Sequence, residues 1–214
     1  MDKACLNGSD VVKMMQQAAA DIKAQEAYLS DLDQALGDGD HGHNIAAGFQ
    51  LLTVQLEPLV DQTPAEILKI AGRTLQNEMG GASGSIFGSF FKGCAKGVID
   101  LEVLEVEHLP QLLESGLALV EKRGKAVAGD KTLVDSLIPA LVAAHSAANE
   151  PNSLVTTLQK IALAAQQGAE ATAEMEAKKG RAKFLGARSI GHQDAGATSM
   201  SIILTAWAKA VREV

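Results

Sequence analysis

Eight stretches of apolar residues recurring at spacings of three and four, with no alternating run between them that reads as a strand, restrict this 214-residue chain to an all-α fold. Ser9 or Asp10 opens the first, whose stripe of Val12, Met15, Ala19, Ile22 and Leu29 runs to about Leu32. Ile45, Phe49, Leu52 and Leu56 carry the second to about Pro58. Thr63, Pro64 and Glu66 form a capping box with proline at the first helical position, opening a third that extends to about Asn77. The fourth covers Ile86 to Ile99, where Gly88, Gly93 and Gly97 allow a neighbour to approach closely, and the fifth covers Leu109 to Val120. The sixth starts at Asp130 or Thr132 and is expected to kink at Pro139. Pro151 and Ser153 open an Ala-rich seventh reaching about Lys178, and Ala197 to Val211 closes the chain. One Trp and one Tyr against abundant Ala and Leu suit tight helix packing better than a β-rich core.

No repeat, low-complexity tract or linker divides the sequence, so one domain over residues 1–214 is expected. In an antiparallel up-and-down barrel or bundle, the odd-numbered connections share one end and the even-numbered ones the other. The odd loops are Asp33 to Asn44, Met79 to Ser85, Arg123 to Thr132 and Lys179 to Gly196, and they hold nearly all the non-helical glycines and both charged clusters. The even loops, around Glu57, Asp100 and Asn149, hold nothing of chemical interest. The functional site therefore belongs at the odd-loop end.

The first odd loop sits in the stretch L-D-Q-A-L-G-D-G-D-H-G-H-N, Leu32 to Asn44. Asp33, Asp38 and Asp40 cannot be dispersed by so short a backbone, and their repulsion calls for a hard, oxygen-seeking cation such as Mg²⁺ or Ca²⁺. An EF-hand loop opened by Asp38 would need Glu where Phe49 stands, which disfavours calcium. The same residues also read as a solvated acidic turn capping the next helix through Asp40 or Asn44. G-G-A-S-G, Gly80 to Gly84, reads either as a helix-to-helix turn or as backbone donors for an anion, and it lacks the G-K-[ST] ending of a Walker A loop. Of 19 basic residues, nine fall in two short regions: Lys122, Arg123, Lys125 and Lys131, then Lys178, Lys179, Arg181, Lys183 and Arg188. Basic loops on a chain of net charge −7 suggest a local anionic ligand and exclude nucleic acid or an anionic membrane as a bulk partner. Carboxylates, amide donors and basic loops together suit a Mg²⁺-bound polyphosphate. No Ser-His-Asp set, cysteine nucleophile or zinc spacing can be assembled, so no residue is assigned as catalytic, and the chemistry is positioning plus electrostatics. His41 orders the acidic loop or contacts phosphate; His192 binds ligand or braces the longest loop. Cys5 and Cys94 read as reduced thiols, and the start M-D-K-A-C-L-N-G lacks a secretory apolar run, so a cytoplasmic protein is expected.

In order and over essentially the whole chain, four motifs resemble the nucleotide-binding L subunit of dihydroxyacetone kinase, especially the phosphotransferase-system-dependent type. They are Leu32 to Asn44, Gly80 to Gly84, R-G-K-A-V-A-G-D-K-T at Arg123 to Thr132, and K-G-R-A-K-F-L-G-A-R-S-I-G-H-Q-D at Lys179 to Asp194. The resemblance implies an eight-helix barrel that binds ADP/ATP tightly at one end, with two Mg²⁺ ions held by Asp33, Asp38 and Asp40. It implies nucleotide contacts from His41, Gly42, Asn44, Ala82, Ser83, Gly124, Arg181, Asp194, Ala195 and Gly196, from His43 through its backbone, and from Leu133 beside the base. Ala195 stands where the family often has proline, which is expected to loosen the turn covering the nucleotide. The implied function is a half-enzyme: a separate K subunit holds dihydroxyacetone, and the phosphohistidine carrier, the M subunit of the phosphotransferase system, recharges the bound ADP. A homodimer and contact with a transcription regulator are further implied. The alternatives are a two-component kinase using free ATP on dihydroxyacetone or a related small ketose or polyol, and an ADP-sensing coactivator. Lys179 to Asp194 is expected to act as a lid whose Phe184, Leu185 and Ile190 pack over the site.

Overall fold

The structure, a computed structural model, describes residues 3–212. Nine α-helices form among them: α1 (Gly8–Ala24), α2 (Glu26–Leu36), α3 (His41–Leu56), α4 (Pro64–Glu78), α5 (Gly81–Gly97), α6 (Leu109–Gly124), α7 (Val134–Ala148), α8 (Leu154–Ala171) and α9 (Ala195–Arg212). Beyond one antiparallel bridge, Leu6 to Leu104, no extended pairing occurs among the described residues. None of these helices is long and apolar enough to cross a membrane.

The helices close into a ring. Each of α1, α3, α4, α5, α6, α7, α8 and α9 packs chiefly on its two neighbours in that order, and α9 returns to α1. This is the expected eight-membered barrel, with α2 lying against α3 and α9 as a ninth element. The single helix expected from Ser9 to Leu32 is in fact α1 and α2, broken at Gln25, whose backbone leaves the helical region (φ −104°, ψ 9°). Neither proline nor glycine marks that break in the sequence, so periodicity ran straight through it. Its N-cap also differs from expectation. Asn7 caps α1 by accepting from the Asp10 amide, while the Asp10 carboxylate accepts from the Asn7 amide. The Thr63–Glu66 capping box of α4 forms as expected. Pro139 falls inside its helix as expected, and α7 continues on both sides of it.

Phe49, Phe90, Phe91 and Trp207 fill the barrel interior, with Trp207 of α9 stacked on Phe90 of α5 at 6.3 Å between ring centroids. α9 and α5 are not neighbours in the ring, so this contact spans its interior. The glycines of α5 serve the wall instead. A β-carbon at Gly88 would lie 2.7 Å from the Gly72 carbonyl oxygen, and one at Gly93 would lie 2.3 Å from that of Ser115. Both approaches admit only hydrogen. Cys94 is fully buried, and burial pushes its thiol pKa up, leaving it an inert packing group.

Candidate functional site

All four odd-numbered loops meet at one end of the ring around a cavity of about 700 Å³. Its acidic corner is built by the junction of α2 and α3. Asp33 projects from the last turn of α2 rather than from a loop, because that helix continues to Leu36, while Asp38 and Asp40 sit in the four-residue turn before α3. Carboxylate oxygens of all three lie within 4.8 Å of one another. Asp33 also accepts from the His41 amide at 3.2 Å, which ties the start of α3 to α2. Three acceptor-only groups gathered this closely on oxygen ligands suit a hard divalent cation.

Of Gly80 to Gly84 only Gly80 lies outside a helix. Gly80 and Gly81 have φ of 65° and 55°, and the first turn of α5 begins at Gly81 without any side-chain cap. Nothing lies within 4 Å of a β-carbon at either position, so glycine is required there by the positive φ and not by crowding. The uncapped amides of this first turn line the cavity and form a donor set for phosphate oxygens.

His41 is buried, its Nε2 2.8 Å from Ser199 Oγ of α9 and its Nδ1 3.4 Å from Ser83 Oγ of α5. Burial pushes its pKa down despite the neighbouring Asp33 and Asp40, favouring the neutral ring. It braces three helices at the cavity floor. Asn44, Ala82, Ser83, Gly124, Leu133, Arg181, Asp194, Ala195 and Gly196 line the cavity with His41 and the three aspartates. Gly42 and His43 do not. The His43 ring is exposed and 3.2 Å from Glu26, and Gly42 packs into the crossing of α3 with α2, where a β-carbon would lie 2.1 Å from the Glu26 carbonyl oxygen.

Across the cavity, the segment from Thr172 to Asp194 carries two short 3-10 helices, Thr172–Glu174 and Ala182–Ser189. Arg181 forms an ion pair with Asp38, so this segment reaches over to the acidic corner. Its apolar residues do not pack over the cavity as expected. Phe184 is 79% exposed with Lys183 Nζ over its ring, Ile190 is also exposed, and Leu185 does not line the site. Lys179, Gly180, Arg181 and Ala182 line the cavity instead. Ala195, in place of proline, is the first residue of α9, a position that suits proline and alanine alike.

No sequence signal marks the apolar wall formed by Leu36, Met79, Ile86, Phe87, Val120 and Ala126, whose members look like ordinary core positions. Arg123 was visible only as one of a basic group; its Nε donates to Ser85 Oγ at 2.5 Å, both at the cavity edge.

Asp194 caps α9, accepting from the Ala197 amide at 2.7 Å. Burial raises its pKa to about 6 against the pull of that amide and Lys131, with Asp135 and Asp33 adding repulsion. Its native pKa therefore lies above its unfolded value, and the stability it contributes below pH 4 is lost as pH rises through about 6. Asn retains the cap without the charge. Metal-free wild-type protein should thus lose stability relative to Asp194→Asn between pH 4 and pH 7, by up to about 3 kcal/mol. Urea midpoints of the two proteins across that range measure it, and a pH-independent difference would contradict it.

The DAK2 domain family matches residues 35–209. The PEP-dependent dihydroxyacetone kinase ADP-binding subunit DhaL of Escherichia coli is 36% identical over 208 residues, covering 97% of this chain and 99% of that one. The PTS-dependent counterpart of Lactococcus lactis is 38% identical, covering 85% and 86%. Among solved structures, the dihydroxyacetone kinase of C. freundii in complex with AMP-PNP and Mg²⁺ superposes with a TM-score of 0.71 at 28% identity. That likeness covers 98% of this chain and 35% of the solved one, so the chain spans about a third of that kinase.

Proposed function

The chain belongs to the DAK2 domain family, and from that premise we propose that it is the ADP-binding subunit of a dihydroxyacetone kinase, one nucleotide-binding domain over residues 1–214. Nucleotide held here relays a phosphoryl group from the phosphohistidine carrier of the phosphotransferase system to dihydroxyacetone on a separate K subunit. Three carboxylates within 4.8 Å of one another, at the edge of a cavity lined by the free amide end of α5, carry this reading. Asp33, Asp38 and Asp40 are the proposed ligands of Mg²⁺, two ions by family resemblance, which when bound offset the charge of the phosphates. Amides at Gly81 to Ser83 and the guanidinium of Arg181 donate to phosphate oxygens. The apolar wall from Ile86 to Val120 and Leu133 takes the base, and His41 holds the floor between α3, α5 and α9.

Contacts drawn from four loops favour retention, because added contacts slow dissociation more than association. Retention would throttle a kinase that must exchange ADP for ATP every cycle, and is harmless when the nucleotide is recharged in place. Labelled ADP loaded on the protein should therefore stay bound through many rounds of dihydroxyacetone phosphorylation in a mixture with the K subunit and the phosphocarrier. Rapid exchange of the label with free ATP, together with turnover without a phosphocarrier, would instead make this the nucleotide subunit of a free-ATP kinase.

A further inference from the structure

Lys131 belongs by sequence to a basic group and lines the cavity, yet its ammonium is taken up by backbone carbonyl oxygens. The side chain is 2% exposed. Its Nζ donates to the carbonyl oxygens of Thr172 at 2.7 Å, Met175 at 3.2 Å and His192. An ammonium has three hydrogens, and these three acceptors use all of them. Thr172 and Met175 lie at the start of the covering segment and His192 at its end. One side chain therefore fastens both ends of the only long excursion between α8 and α9.

The surrounding backbone is arranged for this. Lys131 has φ of 60°, a left-handed conformation that a residue with a side chain holds only where its surroundings impose it. Asp135 imposes it from one side by accepting from the Gly129 and Thr132 amides, at 2.5 and 2.8 Å. Asp130 folds the same loop by accepting from the Val127 amide at 3.0 Å, and its own carbonyl accepts from the Lys178 amide at 3.1 Å. Thr172 Oγ1 in turn receives the Asp194 amide at 2.9 Å, so the clasp is continuous with the cap of α9.

Resting on the nucleotide site proposed above, we infer that Lys131 is a positioning residue: it clasps the covering segment shut from beneath, so that Arg181 and the Asp194–Gly196 turn meet the nucleotide and govern how long it stays. It acts through the segment and touches no phosphate.

Lys131→Met keeps the apolar stem and removes all three donors. In nucleotide-free protein under native conditions, trypsin should then cut at Lys179, Arg181, Lys183 or Arg188 at least about tenfold faster than in the wild type, since cleavage tracks the population of the opened segment. With Mg²⁺ and a fluorescent ADP, dissociation should quicken by about tenfold or more while association changes less than about threefold. In an Arg181→Ala background, where the segment has already lost one of its two contacts with the nucleotide, the same substitution should quicken dissociation by a clearly smaller factor than in the wild type, the non-additivity of residues acting as a unit. Equal cleavage of variant and wild type overturns the clasp. So does an undiminished effect in the Arg181→Ala background, which would make Lys131 a separate ligand. Should Lys131→Met not fold, Lys131→Gln keeps two donors without the charge, and the same cleavage comparison decides. A wild type that binds no ADP removes the nucleotide reading and with it the residence-time part, while cleavage still decides whether Lys131 holds the segment.

Discussion

Asp38→Asn is expected to abolish Mg²⁺-dependent nucleotide binding, weakening ADP by about a hundredfold or more, because one neutral ligand in a three-carboxylate corner leaves both metal and phosphate charge uncompensated. The substitution is nearly isosteric, and Asp38 is exposed in its turn, so the fold should be unaffected. Isothermal titration of ADP with and without Mg²⁺ gives the result directly. Unchanged affinity in the variant would remove the acidic corner from the site and return it to a capping turn. The Arg181–Asp38 ion pair adds a second readout: losing the carboxylate also frees the covering segment at its outer contact. Trypsin sensitivity of residues 179–188 should rise in metal-free protein.

A single methyl group at Gly42 should be equally destructive, by another route. A β-carbon there would meet the Glu26 carbonyl oxygen at 2.1 Å and Ser30 Oγ at 2.5 Å, and the first of these is backbone that cannot rotate away. α3 would have to move off α2. Overpacking of this kind costs about 1–3 kcal/mol or more, which for a domain this size lowers Tm by several degrees. The functional loss should be the larger one, because Asp33 sits on α2 while Asp38 and Asp40 lead into α3, and separating the helices pulls the three carboxylates apart. Gly42→Ala should therefore lose Mg²⁺-dependent ADP binding even at temperatures where circular dichroism shows it folded. Wild-type binding by a folded Gly42→Ala protein would show that the crossing has slack and that the corner does not depend on it.

Gly42 also shows where sequence reading reaches its limit. Its place in the motif was legible; its tight seat in a helix crossing was not, because the clash partner is a backbone carbonyl of α2. The helices themselves were legible because each buries one stripe in the ring, and apolar spacing records that burial directly. The break at Gln25 was not, since both halves keep the same stripe. Counting connections brought the four chemically unusual loops to one end, and residues from all four do line the cavity. Which basic residues face it could not be counted in this way. Arg181 reaches Asp38, whereas Lys131, also at the cavity, spends its donors on carbonyls, a difference fixed by one left-handed residue and by acceptors more than forty positions distant. Likewise the apolar wall looks like core, because the same side chains would bury a base or a neighbouring helix equally well.

Trp207 is the only tryptophan, and it lies against Phe90 and Phe91 in the barrel interior with its indole nitrogen buried and without a hydrogen-bond partner. Among the residues lining the nucleotide cavity it has no place. An indole so isolated from polar groups emits at short wavelength, and its spectrum shifts red only when water enters the ring of helices. The molecule thus carries its own optical gauge of barrel integrity. Opening of the covering segment or emptying of the cavity should leave that signal unchanged, which would tell a barrel that has come apart from one whose mouth has merely opened in one unlabelled sample.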